Sequence, residues 1–414
     1  NRYLHLSIRR QSKICIRESN FLVEGQKMKE LRKSLSGKAA IVGVAESDKI
    51  GKVPDISPLG HHAQAAHNAL EDAGLSISDV DGLFTAGYST YDLGEYLGIE
   101  PNFTDSTIVG GSSFVIHLAH ALAAINAGYC EVALITHGQS GRSDRARNRS
   151  GGGMPADQYT SPYGIMGPPI NYAMAARKYM EMYGEDRTRQ ALAEIAVSTR
   201  KWANMNEKAY FYDKPMSFDD YHDSRWVSWP FHLLDCCLVT DAGAAIVVTS
   251  MEKAKDTKKG PIKILGVGEG HDHGSVLSQM PDLTRTYGRN TGPRALEMAG
   301  LDYKDIDLAM IYDSFTYTVL ATLESLGFCG PGEGPDFVAN QVTAPGGTFP
   351  LNTSGGGLSY THPGMYGIFT VLEAVRQLRG ETGERQLDNC NIALAHGTGG
   401  LLSSTGTVLL TSNN

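Results

Sequence analysis

The stretch Ala69-Leu-Glu-Asp-Ala-Gly-Leu-Ser-Ile-Ser-Asp-Val-Asp81 returns in the second half of the chain as Ala295-Leu-Glu-Met-Ala-Gly-Leu-Asp-Tyr-Lys-Asp-Ile-Asp307, with 8 of 13 positions identical and no gap. One supersecondary unit is therefore used twice. Each copy reads as the last turns of an amphipathic helix, a glycine where a left-handed C-terminal cap is needed, and an Asp-x-Asp leading into an apolar strand. The segments ahead of the copies correspond too: Ala39-Ala-Ile-Val-Gly-Val-Ala-Glu46 and Pro261-Ile-Lys-Ile-Leu-Gly-Val-Gly-Glu269 are apolar runs of strand length. The period is far too long for a solenoid of small repeats. The duplication predicts an α/β protein of two βαβ-type halves related by a pseudo-twofold axis.

A chain of 414 residues holds two medium α/β domains. We read residues 1–37 as an N-terminal extension, 38–260 as one half, and 261–414 as the other. With 37 basic against 45 acidic residues, and no sustained basic run beyond one loop, nucleic acid is not an expected partner. No apolar segment reaches the roughly 20 residues of a membrane span. The cysteines, at 15, 130, 236, 237, 329 and 390, lack both zinc-site spacing and disulfide density. They predict no metal site and a reducing, cytoplasmic setting. The first 27 residues carry no acidic group before Glu18. They read as a targeting peptide or, preferably, as an extension ahead of a start at Met28.

Several segments carry candidate chemistry. Gly110-Gly-Ser-Ser113 opens an Ala-rich helix, where free N–H groups favour an anion; Ser112 and Ser113 are better read as caps than as nucleophiles, and His117 and His120 as packed side chains. Residues 138–230 form an expected insertion, beginning with a long aperiodic stretch. Its Arg142, Arg145, Arg147 and Arg149 suit phosphates or a solvated loop equally, and Tyr159, Pro162, Tyr163, Met166, Pro168 and Pro169 suit an apolar wall. Helices are expected over 171–182 and 187–204, and Asp241-Ala-Gly-Ala-Ala245 is expected to be a tight turn. In the second half, Tyr312, Asp313 and Tyr317 follow a strand whose carboxyl end should face a crevice. A glycine run precedes His362-Pro363, and His396-Gly-Thr-Gly-Gly400 is expected to be a turn after a strand over 391–395.

Taken in order, Gly111-Ser-Ser113, Asp241-Ala-Gly-Ala-Ala245, Tyr312-Asp-Ser-Phe315, Thr361-His-Pro363 and His396-Gly-Thr398 resemble the site segments of the thiolase superfamily, over essentially all of 38–414. The resemblance implies a five-layer αβαβα fold and a homodimer formed through the N-terminal half. It also marks two departures: Gly111 stands where a thiolase holds its acyl-accepting Cys, and His396 where it holds its acid/base Cys. A chain without both thiols is not expected to form a covalent acyl-enzyme.

The Tyr-Asp-Ser-Phe-Thr-Tyr, Ser-Tyr-Thr-His-Pro-Gly-Met-Tyr-Gly and His-Gly-Thr-Gly-Gly segments instead resemble the lipid-transfer-protein branch of that superfamily, which includes the aldolases of steroid side-chain degradation. That resemblance implies retro-aldol cleavage of a bulky β-hydroxyacyl-CoA to a ketone and a shorter acyl-CoA, with coenzyme A entering as part of the substrate and no bound cofactor. It also implies a small zinc-ribbon/OB-fold partner subunit. The expected acid/base residues are Tyr317 and Tyr366, with Tyr312 and Tyr360 as alternates and His362 and His396 beside them. Gly111, Ser112, Ser113, Tyr360, Gly397 and Gly399 are expected to bind substrate, the Gly397–Gly400 amides serving an oxyanion. The competing expectations are an acyltransferase working through Ser112 or Cys237, and a non-catalytic acyl-CoA or lipid carrier.

Overall fold

A computed structural model describes residues 25–144, 157–165, 167–274 and 279–412. The first half runs β1 (Ala39–Glu46), α1 (Pro58–Ala73), β2 (Gly82–Thr85), α2 (Thr90–Leu97), β3 (Phe103–Asp105), α3 (Ser113–Asn126), β4 (Val132–Ser140), α4 (Pro168–Tyr183), α5 (Glu185–Ala203), a small hairpin of β5 (Trp226–Ser228) and β6 (Phe231–His232), and β7 (Asp241–Ser250). The second runs β8 (Ile262–His271), α6 (Gly288–Ala299), β9 (Leu308–Ile311), α7 (Thr316–Leu326), α8 (Gly367–Arg379), β10 (Ile392–Gly399) and β11 (Ser404–Thr411), with shorter helical turns between.

The duplicated unit takes one shape twice. Helix α1 ends at Gly74 with φ 73°, and α6 ends at Gly300 with φ 71°, the left-handed cap that a side chain would strain. A single 3₁₀ turn follows each, over Ile77–Asp79 and Tyr303–Asp305, and a capping box holds it in both copies. The last Asp of each Asp-x-Asp also does one job in both halves. Asp81 accepts the Glu131 and Val132 N–H groups, and Asp307 accepts those of Asn391 and Ile392, at 2.8–3.0 Å. Each carboxylate thereby ties its own strand entrance to the next parallel strand.

Among the described residues the main sheet has nine strands, in the order β3-β2-β4-β7-β1-β8-β11-β10-β9. Counted outward from its centre, β1-β7-β4-β2 mirrors β8-β11-β10-β9. The β2/β4 and β9/β10 pairs are parallel, and β4/β7 and β10/β11 are antiparallel in both halves. The halves join through a short β1/β8 contact, Ala40 against Lys263 and Ile41 against Ile262. Helices α3 and α8 pack against strands of both halves and form the middle layer; α1 covers one half of the sheet from outside and α6 the other, with α7 against α6. This is the five-layer αβαβα arrangement. Helix α8 is buried almost throughout, its polar Glu373 and Gln377 included.

Two local expectations fail for one reason. Asp241-Ala-Gly-Ala-Ala245 is no turn: it is the first half of β7, paired with β4 through Ser140↔Asp241 and Thr136↔Ala245. Its small residues serve close packing, since a Cβ on Gly243 would fall 2.3 Å from the His61 carbonyl oxygen of α1. Likewise His396 does not sit in a turn. Strand β10 continues through it to Gly399, with His396↔Thr407 and Thr398↔Thr405 in register. In both segments glycine marks a neighbouring backbone rather than a chain reversal.

Candidate functional site

The middle layer brings three separate segments to the N-terminus of α3. Gly111 lies one residue ahead of Ser112, which holds the N-cap position of that helix without the side-chain capping bond expected of it, and the φ of Gly111 is not positive. What demands glycine there is Tyr312, since a Cβ on residue 111 would lie 1.7 Å from Tyr312 Cε1. The phenol ring thus occupies the volume that a side chain at position 111 would fill. Tyr312 directly follows β9, and its N–H donates to the His396 carbonyl at 3.0 Å, which fixes the ring's origin at the strand's carboxyl end.

The Tyr312 hydroxyl lies 2.8 Å from His362 Nε2 and 3.4 Å from the Gly364 carbonyl oxygen. The His362 backbone N–H donates to Thr240 Oγ1 at 2.8 Å, and the Tyr366 ring lies parallel to the imidazole with centroids 6.1 Å apart. Tyr312, His362 and Tyr366 are 5%, 8% and 0% exposed, so the pair works in a medium that penalises charge. Burial pushes His362 down to about 4 and raises the Tyr312 and Tyr366 phenols well above 10. At neutral pH all three are uncharged, and the imidazole has a free basic nitrogen for the phenolic proton. Beside them, burial raises Asp313 to about 7 against the N–H groups of Gly357 and Leu358, which its carboxylate accepts at 2.6 and 3.1 Å. That contact explains the glycine run: a Cβ on Gly356 would lie 2.0 Å from Asp313 Oδ2.

Other expected residues are not brought to this cluster. The Tyr317 hydroxyl donates to the Leu283 carbonyl at 3.0 Å, and its ring packs on Tyr179. It belongs to the outer core under α7. His396 is also turned outward: its Nδ1 is 2.8 Å from Thr407 Oγ1, and its ring lies against Gly288 of α6. Strand alternation puts Gly397 on the inner face, where a Cβ would be 2.9 Å from Ser112 Cα. Gly397 and Gly399 thus let β10 press on the first turn of α3, and the β10–β11 ladder runs through both. Ser112 is 2.8 Å from Ser404 Oγ and donates to the Val109 carbonyl, while Ser113 donates to that of Gly110. Tyr360 donates to Glu46, a buried carboxylate also paired with Arg376 and Lys208 beside a cleft of about 540 Å³ that does not include Tyr312.

The insertion is only partly as expected. Its two helices are found as α4 and α5, but Tyr159 and Tyr163 point to solvent at 73% and 83% exposure. Arg142 rests on the Tyr210 ring; Arg145, Arg147, Arg149 and Met166 lie outside the described residues. His117 bonds the Thr107 carbonyl, and His120 bridges Asp105 and Glu269. Burial raises the Cys237 thiol and lifts that of Cys236 to about 12, so neither is a ready nucleophile. One residue that the sequence reading passed over, His137, stands on the inner face of β4 against Phe114. Its signal was a histidine continuing the inward register of Ala133 and Ile135.

Comparison with known proteins gives relatives along most of the chain. Residues 268–412 match the family described as "Thiolase C-terminal domain-like". The chain is 36% identical over 363 residues to the 17-hydroxy-3-oxo-4-pregnene-20-carboxyl-CoA lyase of Mycobacterium tuberculosis, covering 84% of this chain and 92% of the relative. It is also 36% identical over 386 residues to the steroid side-chain-cleaving aldolase of Thermomonospora curvata, covering 88% and 96%. Among solved structures, the "Ltp2-ChsH2(DUF35) aldolase" superposes with a TM-score of 0.83 at 33% identity, covering 91% of this chain and 98% of that one.

Proposed function

The chain belongs to the steroid side-chain-cleaving aldolase branch of the thiolase superfamily, and from that premise we propose that its Tyr312–His362 pair drives the retro-aldol cleavage of a bulky β-hydroxyacyl-CoA. The observation that carries the proposal is the Tyr312 ring in the space beside Gly111. An acyl-accepting side chain has no room there, and the group that fills the room is a proton donor and acceptor bonded to a base.

The reaction needs one proton moved off the β-hydroxyl and one delivered to Cα. A free phenolate and a free imidazolium are both disfavoured, because the same burial raises the Tyr312 phenol and lowers His362. The pair therefore acts in concert. As Tyr312 accepts the hydroxyl proton it passes its own to His362 Nε2; the C–O electrons form the ketone, the Cα–Cβ bond breaks, and its electron pair becomes the thioester enolate. Reversal of the same relay returns a proton from Tyr312 to Cα, and the imidazolium loses its charge. Tyr366 holds the imidazole plane by stacking on it.

The substrate in the name of the mycobacterial relative has this chemistry: a 17-hydroxyl β to a thioester carbonyl, so that cleavage yields a 17-ketone and propionyl-CoA. We propose a steroid-like acyl-CoA of that class for this chain. Incubation with 17-hydroxy-3-oxo-4-pregnene-20-carboxyl-CoA should release ketone and propionyl-CoA in equal amounts, with no acyl adduct on Ser112 or Cys237 by mass spectrometry. An adduct at either residue would favour acyl transfer instead.

Two assemblies complete the reading. The first half exposes Tyr91 and Tyr96 on α2, Ile108 after the edge strand β3, and Tyr129 after α3, which supports a homodimer formed through this half. The name of the structural relative pairs its aldolase with ChsH2(DUF35), which supports a partner subunit here; the zinc-ribbon and OB-fold type is what the sequence resemblance implies for it. Among the described residues no helix is long and apolar enough to cross a membrane.

A further inference from the structure

His137 stands at the inward register of β4, after Ala133 and Ile135, whose side chains belong to the same core as Tyr312 and Tyr366. It is 1% exposed, and neither ring nitrogen has a hydrogen-bond partner among the described residues. Its ring lies 4.8 Å from that of Phe114, the second residue of α3, and 6.3 Å from that of His62. Two residues further along the same face, the Gln139 amide comes within 2.2 Å of where a Cβ on Gly364 would lie. Gly364 also offers its carbonyl to the Tyr312 hydroxyl. The inner face of β4 is thus packed beside the Tyr312–His362 pair.

Burial keeps the His137 imidazole uncharged, with the neighbouring His62 and His362 adding to the effect. A neutral imidazole has one donor and one acceptor, and leaving both unmet at a buried position is unfavourable unless a ligand meets one of them. An apolar side chain of like size would pack on Phe114 without that cost. Structural packing alone therefore does not account for histidine at 137.

We propose that His137 is a substrate-contacting residue of this site, hydrogen-bonding an oxygen of the acyl chain beside the Tyr312–His362 pair. The inference rests on the retro-aldol reading, which supplies two such oxygens: the β-hydroxyl that becomes the ketone, and the thioester carbonyl. Tyr312 and His362 move the protons; His137 holds one of these oxygens in place while they do.

The test is His137→Phe, which keeps a ring and removes both nitrogens. Its thermal midpoint should equal or exceed that of the wild type, because two unmet polar atoms leave the interior. Its kcat/KM on 17-hydroxy-3-oxo-4-pregnene-20-carboxyl-CoA should fall about tenfold or more, the value of one hydrogen bond to a substrate oxygen at about 1.4 kcal/mol per decade. Binding of propionyl-CoA and of the free 17-ketone, measured separately, identifies the oxygen: the product that loses affinity carries it. Ketone release by the wild type tests the retro-aldol reading, whereas the two binding arms test His137 whatever that result. Should the variant not fold, ring-nitrogen NMR of the ¹⁵N-histidine-labelled wild type replaces it, and the His137 resonance should move on addition of one product. Unchanged kcat/KM and unchanged affinity for both products, or an unmoved resonance with both, would overturn the proposal.

Discussion

Replacing Gly111 with alanine puts the clash at the heart of the site to direct measurement. The backbone there has no positive φ and accepts a Cβ, so the whole penalty must come from Tyr312, whose Cε1 lies 1.7 Å from the added atom. Contacts below 3.0 Å force one partner to move, and Tyr312 is 5% exposed and bonded to His362. Overpacking of this kind costs about 1–3 kcal/mol. For a chain of this length that is roughly 1–4 °C in melting temperature. Because the ring must swing off His362, activity should fall much further than stability does, by about a hundredfold or more. Pairing Gly111→Ala with Tyr312→Ala closes a double-mutant cycle in chemical denaturation. If the ring is the obstacle, the second change relieves the first and the coupling energy is about 1 kcal/mol or more. Additive destabilisation, or a Gly111→Ala enzyme with full activity, would refute the account of why position 111 is glycine.

Two further outcomes concern stability. Glu46→Gln leaves the Arg376 guanidinium half-paired in a buried setting, where Arg376 bonding and Lys208 outweigh the burial that would otherwise raise the carboxyl; it should cost about 3–5 kcal/mol in urea unfolding, and a loss under 1 kcal/mol would count against the network. His120 is raised to about 9 by its bonds to Asp105 and Glu269, so its stabilising contribution is complete below about pH 6.5, the unfolded value, and disappears as pH climbs through 9. His120→Gln should flatten that part of the melting-temperature profile; an unaltered slope would show that the contribution lies elsewhere.

The fold was legible because its information is local and repeated. A glycine cap, a capping box and an Asp-x-Asp recur at Gly74 and Gly300 with the same backbone geometry, and repetition removed the ambiguity that either copy alone would carry. The segments that meet at the site were legible too, as glycine runs and a His-Pro beside a strand end. Which side chains meet was less so. Tyr312 and Tyr317 are equally aromatic and both follow β9, but Tyr312 lies before α7, free to turn inward, whereas Tyr317 is on its first turn and carried outward. His396 was misread because a glycine-rich segment suggests a turn, while β10 in fact runs on through it and alternation sends its ring to the outer face. His137 went unnoticed because a lone histidine in a strand has no motif; only its packed surroundings expose the unmet nitrogens.

The central claim is that Tyr312, bonded to His362, moves the proton of a retro-aldol cleavage. Tyr312→Phe keeps the ring over Gly111 and deletes only the hydroxyl that lies 2.8 Å from the imidazole. Ketone and propionyl-CoA release from 17-hydroxy-3-oxo-4-pregnene-20-carboxyl-CoA should drop in kcat by about 10²–10⁴-fold, with KM held within a few-fold. A Tyr312→Phe enzyme that releases ketone at the wild-type rate would contradict the account.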